Sequence, residues 1–390
     1  MKTNIAVFFG GKSVEHEVSI ISAVQAMLSI NTDKYEVIPI YITKDNRMYT
    51  SPFFKEIEEF KNIPELLKKS SPIYFNTDGN RTYLNIITEK KGIFSKTQEP
   101  VIIDVAFPVV HGTNVEDGAL QGFIKTLNLP FVGCDVLSSA VCMDKYVSKL
   151  MLKQAGVPVL DGYKFTSDLK YMDIIAKIEA VLKYPVIIKP VNLGSSVGIT
   201  KANDKTELEE ALETAFTYSK TILAEPAVVN LREINVSVLG DSKEAMASVC
   251  EEPFSKDKIL SYKDKYQSES NTKGMVSLSR QIPADISQEL KENIQKTAVK
   301  AFKELDCNGV VRIDFLFDSE TNEFWLNEIN TIPGSLSFYL WEKTDLPYPA
   351  LIEKLIELAL KRGRLENNLI YSFDTNILSG VGFGTKGSKS

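Results

Sequence analysis

At 390 residues the chain is long enough for two or three domains, each with its own core. Hydrophobic residues make up 44% and charged residues 25%, the balance of a soluble globular protein, and a net charge of −6 lacks the basic face that a nucleic-acid binder needs. No apolar run approaches a membrane span, the opening MKTNIAVFFGG is too short for a signal peptide, and Cys134, Cys142, Cys250 and Cys307 have no metal spacing, so a reduced, cytoplasmic protein is expected.

Ile5 to Phe9 is a short continuous apolar run, the mark of a buried parallel strand. Gly10-Gly11 makes a turn, Glu17 to Leu28 carries apolar residues at helical spacing, and Tyr35 to Ile42 reads as a second strand. The chain therefore opens as a doubly wound α/β sheet. It lacks G-x-G-x-x-G and an acidic residue placed for a ribose, which disfavours a dinucleotide dehydrogenase. In place of that fingerprint stand Glu15, His16 and Glu17, at the sheet edge where ligands bind. A charged first helical turn, favourable with the helix dipole, accounts for the same residues without any ligand. Residues 44–100 read as an insertion of short antiparallel strands. Asp104 to Val110 is a further buried strand, running into the polar loop His111 to Gly118 and the helix Ala119 to Leu127. Both histidines of the chain thus lie in strand-to-helix loops of this first domain.

Beyond Phe131-Val132-Gly133, Ser138 to Gln154 reads as a helix and Tyr184 to Pro190 as a strand ending in Lys189. The small residues of Val191 to Ile199, between Gly194 and Gly198, leave backbone N–H groups able to surround phosphate oxygens, with Lys189 as a point charge. A hairpin turn is the alternative. Glu207 to Phe216 is an amphipathic helix, and strands follow at Thr221 to Ala227 and Arg232 to Leu239. Residues 251–281 are long and polar, the character of a lid. Ile286 to Leu305 is a helix, Leu351 to Lys361 the last clear one, and the tail over 371–390 is expected to be disordered.

The densest chemistry lies in NGVVRIDFLFDSETNEFWLNEINTIPGSLS, from Asn308 to Ser337. Val310 to Phe317 and Glu323 to Ile329 read as a hairpin across a polar turn. It would turn Asp314, Glu328 and Asn330 toward one point, an all-oxygen set suited to a hard cation such as Mg²⁺. Arg312, two residues before Asp314, shares its face and reaches an oxyanion beside the metal. A plain hairpin with solvated carboxylates remains the alternative.

With GGKSVEHEVS, HGTNVEDGALQG, CMDKYVSK, IIKPVNLGSSVG, DKY, VRIDF and NEINTIPG in this order, the chain resembles the D-alanine–D-alanine ligases of the ATP-grasp superfamily from about Ile5 to about Lys361. The resemblance implies an α/β N-terminal domain with a parallel sheet over 1–133, followed by an α+β ATP-grasp fold whose subdomains, 134–224 and 225–370, grip ATP. It implies that Lys145, Lys189 and Lys265 bind phosphates, that Glu225 and the backbone through Val228 hold adenine, and that Glu233 holds the ribose. Asp314, Glu328 and Asn330 would carry two Mg²⁺ ions, with Mn²⁺ able to substitute. Glu15, Ser195 and Tyr266 would form a trio that closes the lid, and Arg312 with the N–H of Gly334 an oxyanion hole. His111 would lie near the first substrate's carboxylate. Tyr339 stands where the family usually has Ser, and with Leu340 would border the second-substrate subsite. The lid after Tyr266 also departs from the family, and Ile259 replaces an aromatic expected over adenine. The implied partners are D-alanine, ATP and a second copy through the N-terminal domain, with no nucleic acid or membrane. The acceptor stays open between D-alanine, D-serine, D-lactate and another amino acid. A silent ATP-binding regulator would lack the metal ligands or the arginine, and here none is missing.

Overall fold

The computed structural model describes residues 2–87, 99–254, 280–373 and 375–380. Three sheets follow one another along the chain. The first is built from β1 (Thr3–Gly10), β2 (Tyr35–Ile42), β3 (Met48–Thr50), β4 (Ser71–Asp78), β5 (Arg81–Ile86), β6 (Val101–Ile103) and β7 (Val105–Pro108), in the order β6-β5-β4-β3-β2-β1-β7. β2, β1 and β7 are parallel, and β3 to β6 extend the sheet antiparallel. The expected insertion is thus the outer half of one continuous sheet. β1 lies inside, so Ile5 to Phe9 are wholly buried, as a strand covered on both faces requires. Gly10 turns the chain into the helix His16–Ser29 at a φ of +89°, and a side chain there would meet the Ile42 carbonyl at 2.3 Å.

The second sheet holds β8 (Tyr163–Thr166), β9 (Val186–Pro190), β10 (Thr200–Ala202) and β11 (Thr221–Pro226), antiparallel in the order β10-β9-β11-β8. The helices Tyr171–Val181 and Lys205–Tyr218 cover it, placing Ile174, Ile178, Leu208 and Leu212 on Val186, Ile188 and Ile222. The third sheet contains β12 (Leu231–Gly240), β13 (Ala245–Pro253), β14 (Arg280–Gln281), β15 (Gly309–Asp318) and β16 (Phe324–Asn330), in the order β14-β13-β12-β15-β16. The helix Gln288–Glu304 lays Ile294, Ala298 and Phe302 in one core with Val236 and Ile313.

Packing divides the chain differently from the expected boundaries. β11 runs through 224/225 and belongs to the second sheet. Cys142, Leu152 and Val157 join the core of the third sheet, although their segment precedes the second. The last helix, Tyr348–Glu366, sends Leu351, Ile352, Leu355 and Ile356 into the core of the first domain. The single helix expected over 138–154 is two, Val136–Met143 and Lys145–Gln154. Asp144 leaves the helical region at ψ 103°, and its carboxylate caps the N–H groups of Tyr146 and Val147 at 2.9 Å. Among the described residues no helix is long and apolar enough to cross a membrane, and all four cysteines are buried and free.

Candidate active site

The register of β15 on β16 sets Arg312 opposite Asn330 and Asp314 opposite Glu328. Residues two apart on a strand share a face, so the four form one polar patch on the hairpin. Arg312 grips Asp314 through Nε and Nη2, both at 2.7 Å, and Asn330 Nδ2 donates to Asp314 Oδ2 at 3.1 Å. Burial works against charge on Arg312, but Asp314 outweighs it and raises the guanidinium pKa above its usual range. Because Asn330 donates through its nitrogen, its amide oxygen stays available as a hard ligand beside the two carboxylates. No three His, Cys, Asp or Glu side chains gather into a ready metal cluster among the described residues. Two carboxylates and an amide oxygen are nonetheless donor types that Mg²⁺ accepts, with waters and substrate phosphates completing its shell.

Two cavities meet at this patch. The larger, of about 430 Å³, lies between the second and third sheets and is lined by Lys189, Glu225, Val228, Ser196 and Leu316 among others. The smaller, of about 90 Å³, is lined by Glu15, His111, Ser195, Arg312, Gly334 and Tyr339 among others. Lys145, Glu233, Asp314 and Glu328 line both. The break at Asp144 lets the Lys145 N–H donate to the Val191 carbonyl at 2.8 Å, and its Nζ reaches the Leu193 carbonyl at 2.7 Å and Glu328 Oε2 at 3.1 Å.

The floor of the larger cavity is a buried ion triad. Glu225, 1% exposed, pairs with Lys189 at 2.5 Å and with Lys149 at 2.7 Å. Burial would raise the Glu225 pKa, but the two ammonium groups lower it. Burial and the charges of Lys149 and Lys145 lower that of Lys189 against the pull of Glu225. Glu225 lines the larger cavity while its carboxylate pairs with both lysines. Two cations share one anion here, which leaves a positive excess for a ligand's phosphates.

The first domain supplies the remaining wall. Ser195 Oγ donates to Glu15 Oε1, joining two members of the expected trio across 180 residues. A side chain at Gly194 would meet Glu15 Oε2 at 2.9 Å, so this loop must be small to let the carboxylate in. His16 is structural: its ring contacts the Gly11 carbonyl at 2.6 Å and the Tyr41 hydroxyl at 3.0 Å. His111 lines the smaller cavity, but both of its nitrogens are engaged. Nδ1 must carry the proton, because it faces the Ile332 carbonyl at 2.8 Å; Nε2 then accepts from Ser22 Oγ at 3.0 Å. His111 thereby positions the Ile332 loop from its place on the cavity wall. Glu116 does the same work from its own loop, accepting from the N–H groups of Gly112 and Ile332, each at 2.9 Å.

After Gly334 the backbone takes a course that the sequence does not announce. Ser335, Leu336 and Ser337 all lie in the left-handed region, at φ 49°, 54° and 51°. This conformation is unfavourable by about 1–2 kcal/mol per non-glycine residue. It is held by the Ser335 N–H on Ser22 Oγ at 3.0 Å and by Ser335 Oγ on Gln25 Oε1 at 2.6 Å. The loop winds into the short helix Phe338–Glu342. Tyr339 thereby faces the smaller cavity, whereas Leu340 is fully buried and does not line it. The helical turn points the Leu340 side chain inward with Trp341. Lys265, Tyr266 and Ile259 lie outside the described residues, as do most of the expected lid and the tail from 381.

Reading the sequence missed Lys149, Glu116, Glu251 and Arg280. Lys149 was findable, because it follows Lys145 by one helical turn in CMDKYVSK. Glu251 and Arg280 were hidden, since only the strand pairing brings them to Tyr339.

Comparison with known proteins agrees with this geometry. The family model described as D-ala D-ala ligase N-terminus matches residues 4–134, and that described as D-ala D-ala ligase C-terminus matches residues 151–357. A D-alanine–D-alanine ligase of Acetivibrio thermocellus is 43% identical over 93% of this chain and 96% of that protein. One of Thermosipho melanesiensis is 40% identical over 96% of this chain and 98% of that protein. Among solved structures, the D-alanine-D-alanine ligase of Coxiella burnetii aligns with a TM-score of 0.77 at 31% identity, covering 94% of this chain and 96% of that one. The VanG D-Ala:D-Ser ligase of Enterococcus faecalis aligns at 0.76 and 32%, covering 92% of this chain and 100% of that one. With both family models matched in order across two sheets that clasp a cleft, the chain belongs to the D-alanine–D-alanine ligase family.

Proposed function

We propose that this enzyme uses ATP to join two D-alanines into D-alanyl-D-alanine for peptidoglycan precursors. The observation that carries the reading is the junction of the two cavities at Lys145, Glu233, Asp314 and Glu328. A triphosphate lying in the larger cavity would meet there a carboxylate held in the smaller one. Lys145, Lys189 and Lys265 would hold the phosphates, the backbone at Val228 the adenine, and Glu233 the ribose hydroxyls. Asp314, Glu328 and Asn330 would hold two Mg²⁺ ions, which neutralise charge on a transferring phosphoryl group.

A carboxylate is a poor electrophile, so the carboxylate oxygen of the first D-alanine attacks the γ-phosphorus of ATP. The bond to the bridging oxygen of the β-phosphate breaks, ADP leaves, and an acyl phosphate forms. The amine of the second attacks the acyl carbon, the bond to the phosphate oxygen breaks, and inorganic phosphate leaves. Arg312 and the Gly334 N–H would stabilise the tetrahedral oxyanion, an effect of about 2.7–4 kcal/mol per donor. Glu15 and Ser195, with Tyr266, would tie the first domain to the loop over the site and exclude water, which otherwise hydrolyses the acyl phosphate. A cytoplasmic homodimer belongs to the same reading, on the family resemblance.

The test is a panel of D- and L-amino acids and D-lactate with ATP and Mg²⁺, scored by phosphate release and product mass. The expected result is one phosphate per D-alanyl-D-alanine. Preference for D-serine or D-lactate would replace the acceptor and keep the chemistry. No ATP-dependent product from any pair would overturn the reading.

A further inference from the structure

Pairing in the third sheet sets four polar residues side by side in one row. Asn235 of β12 lies opposite both Glu251 of β13 and Asp314 of β15, and Asp314 lies opposite Glu328 of β16. All four line the smaller cavity. Asn235 is 6% exposed, and its Nδ2 donates to Glu251 Oε1 at 3.2 Å. Turned over, the amide would set its oxygen against a carboxylate oxygen, so its orientation is fixed. The Asn235 Oδ1 is buried and accepts no hydrogen bond among the described residues.

A buried acceptor left unpaired is unfavourable by about 1–3 kcal/mol, and nearly all such groups in folded proteins find a partner. The two ends of a planar amide point apart. With its nitrogen on β13, Asn235 turns its oxygen toward β15 and Asp314, a carboxylate that only accepts. Two acceptors side by side are satisfied together by a cation, or by a molecule that brings protons. The charge of the wall agrees, because six carboxylates line this cavity against one lysine and two arginines. In the ligase reading, on which this inference rests, Asp314 serves Mg²⁺, an ion that gives up its waters of hydration reluctantly. Each such water has two protons to donate. We propose that Asn235 Oδ1 accepts a hydrogen bond from a water of hydration of the cation at Asp314. Asn235 is then a positioning residue, which fixes the ion without ligating it.

Mn²⁺ is the probe, because the free hydrated ion gives an EPR signal that is lost on binding. The whole protein is titrated with Mn²⁺ in the presence of ADP, which reads metal binding apart from turnover. Asn235→Leu keeps the branched shape and removes the oxygen. Its Kd for Mn²⁺ should rise by roughly ten- to a hundredfold, the scale for a residue that orients a metal site from one layer out. Asn235→Thr, whose branched side chain suits a strand and whose hydroxyl stands nearer the backbone, gives a second reading, and its Kd should rise too. Tyr339→Phe takes a donor from the same Glu251 oxygen and leaves Asn235 whole, so its Kd should match that of the wild type. An unchanged Kd in Asn235→Leu or Asn235→Thr would overturn the proposal. So would an equal rise in Tyr339→Phe, which would assign the effect to Glu251. A wild type that holds no Mn²⁺ beyond what ADP holds by itself would instead overturn the metal assignment of the ligase reading, and this inference with it.

Discussion

The carboxylate of Glu116 accepts the backbone N–H of Ile332 at 2.9 Å, a bond between residues 216 positions apart. His111 holds the carbonyl of the same residue. The two side chains thus clamp the loop that follows the hairpin, and they titrate in opposing senses. Burial, then the charge of Glu15, raises Glu116 to about 7; burial lowers His111 to about 4. The Glu116 contribution to stability is full below its unfolded value near 4.5 and is lost as pH rises through about 7. The His111 contribution is present above 6.5 and is lost as pH falls through about 4. In the wild type the slopes oppose each other. Denaturant melts against pH should therefore tilt two ways: Glu116→Gln should gain stability from pH 4 to 6.5, and His111→Asn should lose it from 4.5 to 7, by up to about 3 kcal/mol each. Parallel slopes in the two variants would refute the assignment.

Glu328→Ala should abolish phosphate release and leave the melting transition in place. The carboxylate stands at the junction of both cavities, opposite Asp314. Full turnover with unchanged Mg²⁺ dependence would remove Glu328 from the metal set.

Glu225→Ala leaves Lys149 and Lys189 buried with their shared anion gone. Breaking a buried pair in this way destabilises by about 3–5 kcal/mol. ATP should restore part of that loss, since its phosphates would fill the vacated charge. Urea melts with and without ATP measure both effects, and a loss below about 1 kcal/mol would show that the triad is not desolvated.

Ser22→Ala removes the one oxygen that serves both His111 Nε2 and the Ser335 N–H. A buried donor left without its acceptor costs about 1–3 kcal/mol. The left-handed run from Ser335 to Ser337 loses a support at the same time. The expected signature is a lower melting temperature together with a raised KM for the amino acid. An unchanged KM would mean that the loop holds its shape without Ser22.

The elements were legible because their patterns are strong. The continuous apolar run Ile5 to Phe9 could only be a strand buried on both faces, and the alternation around Arg312 and Asp314 showed the hairpin face that carries them. What stayed hidden depends on partners distant in the chain. Nothing local to Tyr339 says that its hydroxyl meets Glu251, 88 residues earlier. Nothing in GSLS dictates three left-handed residues without a serine on another domain to hold them. That both nitrogens of His111 are engaged, by Ile332 and Ser22, was hidden for the same reason.

The last helix bears on how the chain comes into being. Leu351, Ile352, Leu355 and Ile356 complete the core around β1, which lies more than 300 residues earlier in the chain. A ribosome therefore releases β1 to β7 long before the surface that seals them exists. Until Tyr348–Glu366 emerges, the domain around β1 must wait with an apolar face uncovered, in the condition that chaperones recognise. Chains stalled before Tyr348 should be bound by a holdase and digested readily, and those that reach Glu366 should resist.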